Sequence, residues 1–140
     1  MAAAILPDGV RRPAVLLWAV GAGLAGFTAV LAAAHSEVGF AAVYAVVAAG
    51  LAVLGGATRQ GRRAAQLITL VMLGSQVVGA AGAGWELAYG NDDNAKARHL
   101  HGLGVNYRLA LALNLAYSLA ASAVFVRAVT ELRRQGRPSA

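Results

Sequence analysis

The side chains able to carry chemistry crowd into one stretch of the sequence, Gly79 to Arg108. Glu86 is the only acidic residue inside an apolar segment, Trp85 and Tyr89 flank it, and His99, His101 and Arg108 follow within 22 residues. An ionisable group in apolar surroundings is costly and needs a partner, so an acid here is a candidate for handling a proton or a cation. Arg108 enters the next apolar segment from the same side, which makes a Glu86–Arg108 ion pair a simple way to hold the charge. The alternative is that Glu86 snorkels to the lipid headgroups.

His99 and His101 form H-x-H, and with His35, Glu37, Asp92 and Asp93 they offer the imidazole and carboxylate donors that zinc and related ions take. Residues two apart share a side only where the chain is extended. No spacing here closes a ligand set, so the sequence predicts a solvated loop and no resident metal. The second chemistry open to His35, His99 and His101 is pH sensing, because imidazole titrates near neutrality.

A third set lies deeper. Gln66, Thr69, Leu73 and Gln76 recur at helical spacing on one face, and Asn114, Ser118 and Ser122 do the same at steps of four. If the two segments run antiparallel, Gln76 meets Ser118 at similar depth, with Asn114 about one turn nearer the surface. Such groups either bond across helices or line a path, and a path for an ion or substrate would run by Glu86, Arg108, Gln76, Asn114 and Ser118.

Enzyme motifs are missing. There is no H-E-x-x-H, Walker loop or nucleophile elbow, and the chain has no cysteine to act as nucleophile or ligand. Gly21, Gly23 and Gly26 satisfy G-x-G-x-x-G, but that fingerprint works only between a strand and a helix of a βαβ unit, and these glycines sit inside an apolar run. Small residues at Ala22 and Gly26, or at Gly21 and Ala25, instead allow close helix packing. A haem held between helices needs histidines within the spans, and all three lie in connections, so no cofactor is expected.

The elements that must position these groups follow from composition. The 140 residues are 59% hydrophobic and only 13% charged, where soluble domains have about 45–50% and about 25%. A bilayer is the environment that tolerates such a surface. Four apolar runs are long enough to span it: 14–34, 38–58, 64–89 and 109–126. The first, behind Arg11, Arg12 and Pro13, also has the grammar of a cleaved signal peptide, but it exceeds a typical signal core and is read as a retained span. Residues 1–10 read as a loose tail, 91–108 as a polar loop and 127–140 as a basic tail. The spans read as an all-α membrane bundle of four helices, up-down-up-down.

The net charge of +6 does not indicate nucleic acid, because the arginines cluster at the edges of apolar runs. There Arg59, Arg62, Arg63, Arg133 and Arg134 would contact lipid headgroups. Nine of the twelve Lys and Arg residues fall on the side of the two termini and three on the other (Lys96, Arg98 and Arg108), which predicts both termini in the cytoplasm and the plasma (inner) membrane as the location. The function expected is non-enzymatic: helix–helix assembly as a homo-oligomer or as an accessory subunit among other membrane subunits. The alternative is a small ion- or proton-coupled transporter or channel.

Overall fold

The computed structural model describes residues 5–135. Among them are five helices and no strand: α1 (Asp8–Ala34), α2 (Val38–Arg59), α3 (Arg63–Tyr89), α4 (Ala95–Gly102) and α5 (Tyr107–Gln135). All but α4 are long and apolar enough to cross a bilayer, and a helix meets the needs of such a segment because it satisfies its own backbone groups where no water can.

Three stretches depart from the sequence reading. Residues 8–10 are not a loose tail but the first turn of α1, with Asp8 against Arg11 at 2.5 Å and Leu6 and Val10 buried against Ala128. Residues 91–108 contain α4 and the start of α5. Residues 127–135 continue α5, since an i,i+4 pair of Arg127 and Glu131 at 2.8 Å supports the helix and Ala128 is buried; the rest of the expected tail, with Arg137, lies outside the described residues.

The short connections close on themselves. After α1 the Glu37 N–H donates to Ala32 O at 2.8 Å and Ser36 N–H to Ala33 O at 3.0 Å, the paired bonds that end a helix through a left-handed residue. That residue is Ser36, at φ 62°. The same pattern ends α2 at Gly61 and α4 at Gly104, where glycine takes the positive φ without strain.

Packing is pairwise. α1 lies along α2 and α3 along α5, with α1 also touching α5 and α2 meeting α3 only lightly. Gly21 marks one close approach: a Cβ there would sit 2.7 Å from the Tyr117 hydroxyl oxygen, whose proton goes to Leu17 O at 3.1 Å. Of the glycines of G-x-G-x-x-G, Gly21 is thus a tight packing position and Gly26 approaches Ala48, while Gly23 faces open space; Ala25 is buried one turn on from Gly21.

The two pairs are knitted near the start of α1. Trp18 Nε1 donates to Thr69 Oγ1 at 3.1 Å, and Thr69 shares a bond of 2.9 Å with Thr58, so α1, α2 and α3 meet in one chain of satisfied polar groups. Beside it Gln66, fully buried, accepts from the backbone N–H groups of Ile5 and Leu6 at 2.6 and 3.0 Å. Half of the polar face legible on α3 thus serves to seal this seam.

Candidate functional site

The chemistry-bearing residues gather around α4, at the far end of the bundle from that seam. α4 starts because Asn94 caps it, its Oδ1 accepting from Ala97 N–H at 2.8 Å. Asn94 Nδ2 also donates to the Tyr107 hydroxyl at 2.9 Å, and that hydroxyl donates to Glu86 Oε1. Lys96 Nζ reaches Glu86 Oε2 at 3.2 Å. Ala97, Tyr107 and Leu111 bury together beneath these bonds, with Leu87 and Leu100 against them.

Glu86 is therefore held by Tyr107 and Lys96 and not by Arg108. The physical reason is the phase of α5. Tyr107 turns inward and is buried, so its neighbour Arg108, about 100° further round the helix, faces away and binds Asp92 through Nε at 3.0 Å. The pairing expected from sequence is replaced by two separate ones.

The histidines do not converge. His35 Nδ1 bonds to Leu31 O at 2.9 Å at the end of α1. His99 and His101 sit on a helix, where a separation of two sends their rings to different sides. Among the described residues no group of three His, Asp or Glu side chains is placed to hold a metal ion. Asp93 offers only its backbone oxygen, to Arg98 at 2.6 Å. His99 alone has a structural partner set: Nδ1 lies 3.5 Å from Glu37 Oε2, and its ring packs on Phe40 with centroids 4.3 Å apart. These contacts tie α4 to the turn and first residues of α2.

Between the α1–α2 pair and the α3–α5 pair, beneath α4, lies a cavity of about 680 Å³. Leu24, Phe27, Leu51 and Met72 supply apolar wall, while Lys96, His99, Gln76, Asn114 and Tyr117 bring polar atoms. Gln76 Oε1 accepts from Ser118 Oγ at 3.0 Å, an interhelical bond at the matched depth that the sequence indicated. Asn114 is exposed and contributes to the wall of the cavity.

No protein-family model, curated protein or solved structure matches this chain. Function has to be read from its own geometry. That geometry pairs three of the acids at the α4 end with bases: Glu86 with Lys96, Glu37 with His99, Asp92 with Arg108. A second hollow, about 590 Å³ between α2 and α3, is lined by apolar residues such as Val47, Leu54 and Ile68 with only Arg62 charged, and has little to orient a ligand. The cationic residues read as headgroup contacts, Arg59, Arg62, Arg63, Arg133 and Arg134, are all exposed.

Sequence reasoning missed Lys96, Asn94 and Tyr107 as partners of Glu86. Asn94 ahead of Ala-Lys-Ala-Arg is a readable cap signal, and Tyr107 lies two turns before Asn114 on the same helical face. What could not be read was that α4 folds back over Glu86.

Proposed function

We propose that this chain is a non-enzymatic multi-pass membrane protein that works through helix–helix assembly, in the first place with copies of itself. The observation that carries the reading is α2. Ala42, Ala45, Ala49, Ala52 and Gly56 fall at alternating steps of three and four on one face of it, and all are exposed. A Cβ at Gly56 would meet nothing within 4 Å. In a bilayer, apolar exposure alone is neutral, because lipid is as apolar as leucine; small residues in a seam are different, since they let two backbones approach and pack.

The arrangement proposed is up-down-up-down with both termini on the cytoplasmic side of the plasma (inner) membrane. Contact register supports the alternation: Gly26 faces Ala48 while Gly55 faces Trp18, and Gly74 faces Phe125 while Gly84 faces Leu115. The nine-to-three bias of Lys and Arg supports the orientation. The pairing of Glu86, Glu37 and Asp92 with bases supports a non-catalytic reading, because it occupies three of the four carboxylates at the α4 end. It also weighs against a carrier role for Glu86, which already has a hydroxyl and an ammonium on its two oxygens.

The absence of cysteine makes the test direct. Single cysteines placed along α2 in native membranes are expected to cross-link between copies at 45, 49 and 52 and to stay monomeric at 44 and 48, which turn toward α1. Cross-linking without helical period, or none, would contradict assembly through this face.

A further inference from the structure

We infer that the groove between α2 and α3 seats one acyl chain of an anionic phospholipid, whose phosphate is held by Arg62 at the mouth of the groove. The site shares no residue with the seam proposed for assembly on α2 and does not depend on it.

The groove exists because α2 meets α3 only lightly. A turn joins the two helices and the Thr58–Thr69 bond of 2.9 Å ties them, but beyond that each packs in a different pair. Val47, Leu54 and Met72 wall the hollow of about 590 Å³ left between them. Gly50, Val53 and Ile68, also on its wall, are exposed, so the hollow opens outward. From Ala57 to Val47 it follows α2 for about 15 Å at 1.5 Å per residue. That is half of the roughly 30 Å hydrocarbon core, the depth of one leaflet. An apolar slot of this depth suits a hydrocarbon chain lying along the helices, and nothing inside it would orient a polar ligand.

The turn at its mouth names the head. Among the described residues Arg62 is the one charged group lining the hollow, with Arg59 and Arg63 close by in sequence and all three exposed. Backbone bonds fix their base: Gly61 N–H donates to Thr58 O at 3.0 Å and Arg62 N–H to Ala57 O at 3.1 Å. Among the described residues no acid pairs with these arginines, since Asp8 and Glu131, the acids at this end, bind Arg11 and Arg127. Arg62 is also the N-cap of α3 and gives no side-chain cap bond. The first N–H groups of α3 are thus left for an anion at the same mouth, where Ala64 and Ala65 line the hollow. A phosphate diester accepts from a guanidinium fork and from such N–H groups. A choline or ethanolamine head brings its own cation into a group of three arginines, which an anionic head does not. Any arginine at a membrane edge meets headgroups; Arg62 differs in standing over a slot for the chain.

The full chain, extracted in mild detergent, is titrated with dioleoyl phosphatidylglycerol and separately with dioleoyl phosphatidylcholine, and bound lipid is counted per chain by native mass spectrometry. Counting per chain reads the same for a monomer and an oligomer, so the result stands apart from assembly. The first phosphatidylglycerol on each chain is expected to bind about tenfold more tightly than phosphatidylcholine. Arg62→Gln should weaken it about tenfold, the loss of a charge-assisted bond. Arg133→Gln, which changes an exposed arginine that does not line the groove, should leave it unchanged. At Gly50 a Cβ would meet nothing within 4 Å, so Gly50→Leu fills the groove without disturbing the helix packing and should weaken phosphatidylglycerol about fivefold. Equal binding of the two lipids, or a loss as large in Arg133→Gln as in Arg62→Gln, would mean diffuse attraction to a basic surface and overturn the proposal. A Gly50→Leu chain that binds as before would overturn it too, because the head would then be held without its chain. Should Arg62→Gln fail to fold, the two lipids compared on the unvaried chain still decide.

Discussion

The two ends of this bundle use polar side chains in opposite ways. Near the start of α1, Gln66 Oε1, Thr69, Thr58 and Trp18 Nε1 are buried and bond to one another or to the backbone, closing the helix pairs together. Among the described residues, only Gln66 Nε2 is left without a partner there. Around α4 the pairs stand apart over a cavity, and the Glu86–Lys96 and Glu37–His99 contacts are partly exposed. In a membrane, where apolar burial gives helices little reason to prefer one another over lipid, buried hydrogen bonds that cross between helices hold an end shut. The difference assigns the tighter closure to the end near the start of α1.

The largest way to break that contrast is at Gln66. Replacing it by leucine removes the acceptor of one buried and one part-buried N–H group, each costing about 1–3 kcal/mol when left unmade, and also removes the unpartnered Nε2, so Gln66→Leu should lower stability in denaturant titration by about 2–3 kcal/mol. Tyr107→Phe, at the α4 end, removes the hydroxyl between Asn94 and Glu86 and should cost only about 1–2 kcal/mol, because Lys96 still holds the carboxylate and water reaches the site. If Tyr107→Phe proved the more damaging of the two, the division of labour between the ends would be wrong. The smallest effect belongs to the turn after α1. Ser36 occupies a left-handed conformation that glycine takes freely, so Ser36→Gly should raise the thermal midpoint slightly, by the equivalent of about 0.5–1 kcal/mol; a drop would mean that Ser36 does more than turn the chain.

Legibility in the sequence followed the same division. The spans were readable because arginine groups and polar turns interrupt apolar runs, and the Gln76–Ser118 bond was readable from matched depth on two helices. α4 was not, because Ala-Lys-Ala-Arg-His-Leu-His-Gly carries no apolar period. Asn94 caps it and Ala97 and Leu100 anchor it, and those anchors exist only once α5 is packed. The Glu86–Arg108 pair failed for a one-residue reason: helix phase put Tyr107 inward and Arg108 outward. α5 runs past the expected end at Val126 because the charge of Arg127 marks only the end of the apolar part, not of the helix. Gln66 was seen as polar and on the right face, but its task depended on Ile5 and Leu6, which sequence placed in a loose tail.

Native mass spectrometry of the protein, extracted mildly from its own membrane, tests the proposed assembly through α2 most directly. A defined homo-oligomer that falls to monomer when Ala49→Leu bulks the seam is the result expected. Recovery as a monomer before any substitution, at the same concentration and in the same mild detergent, would contradict it.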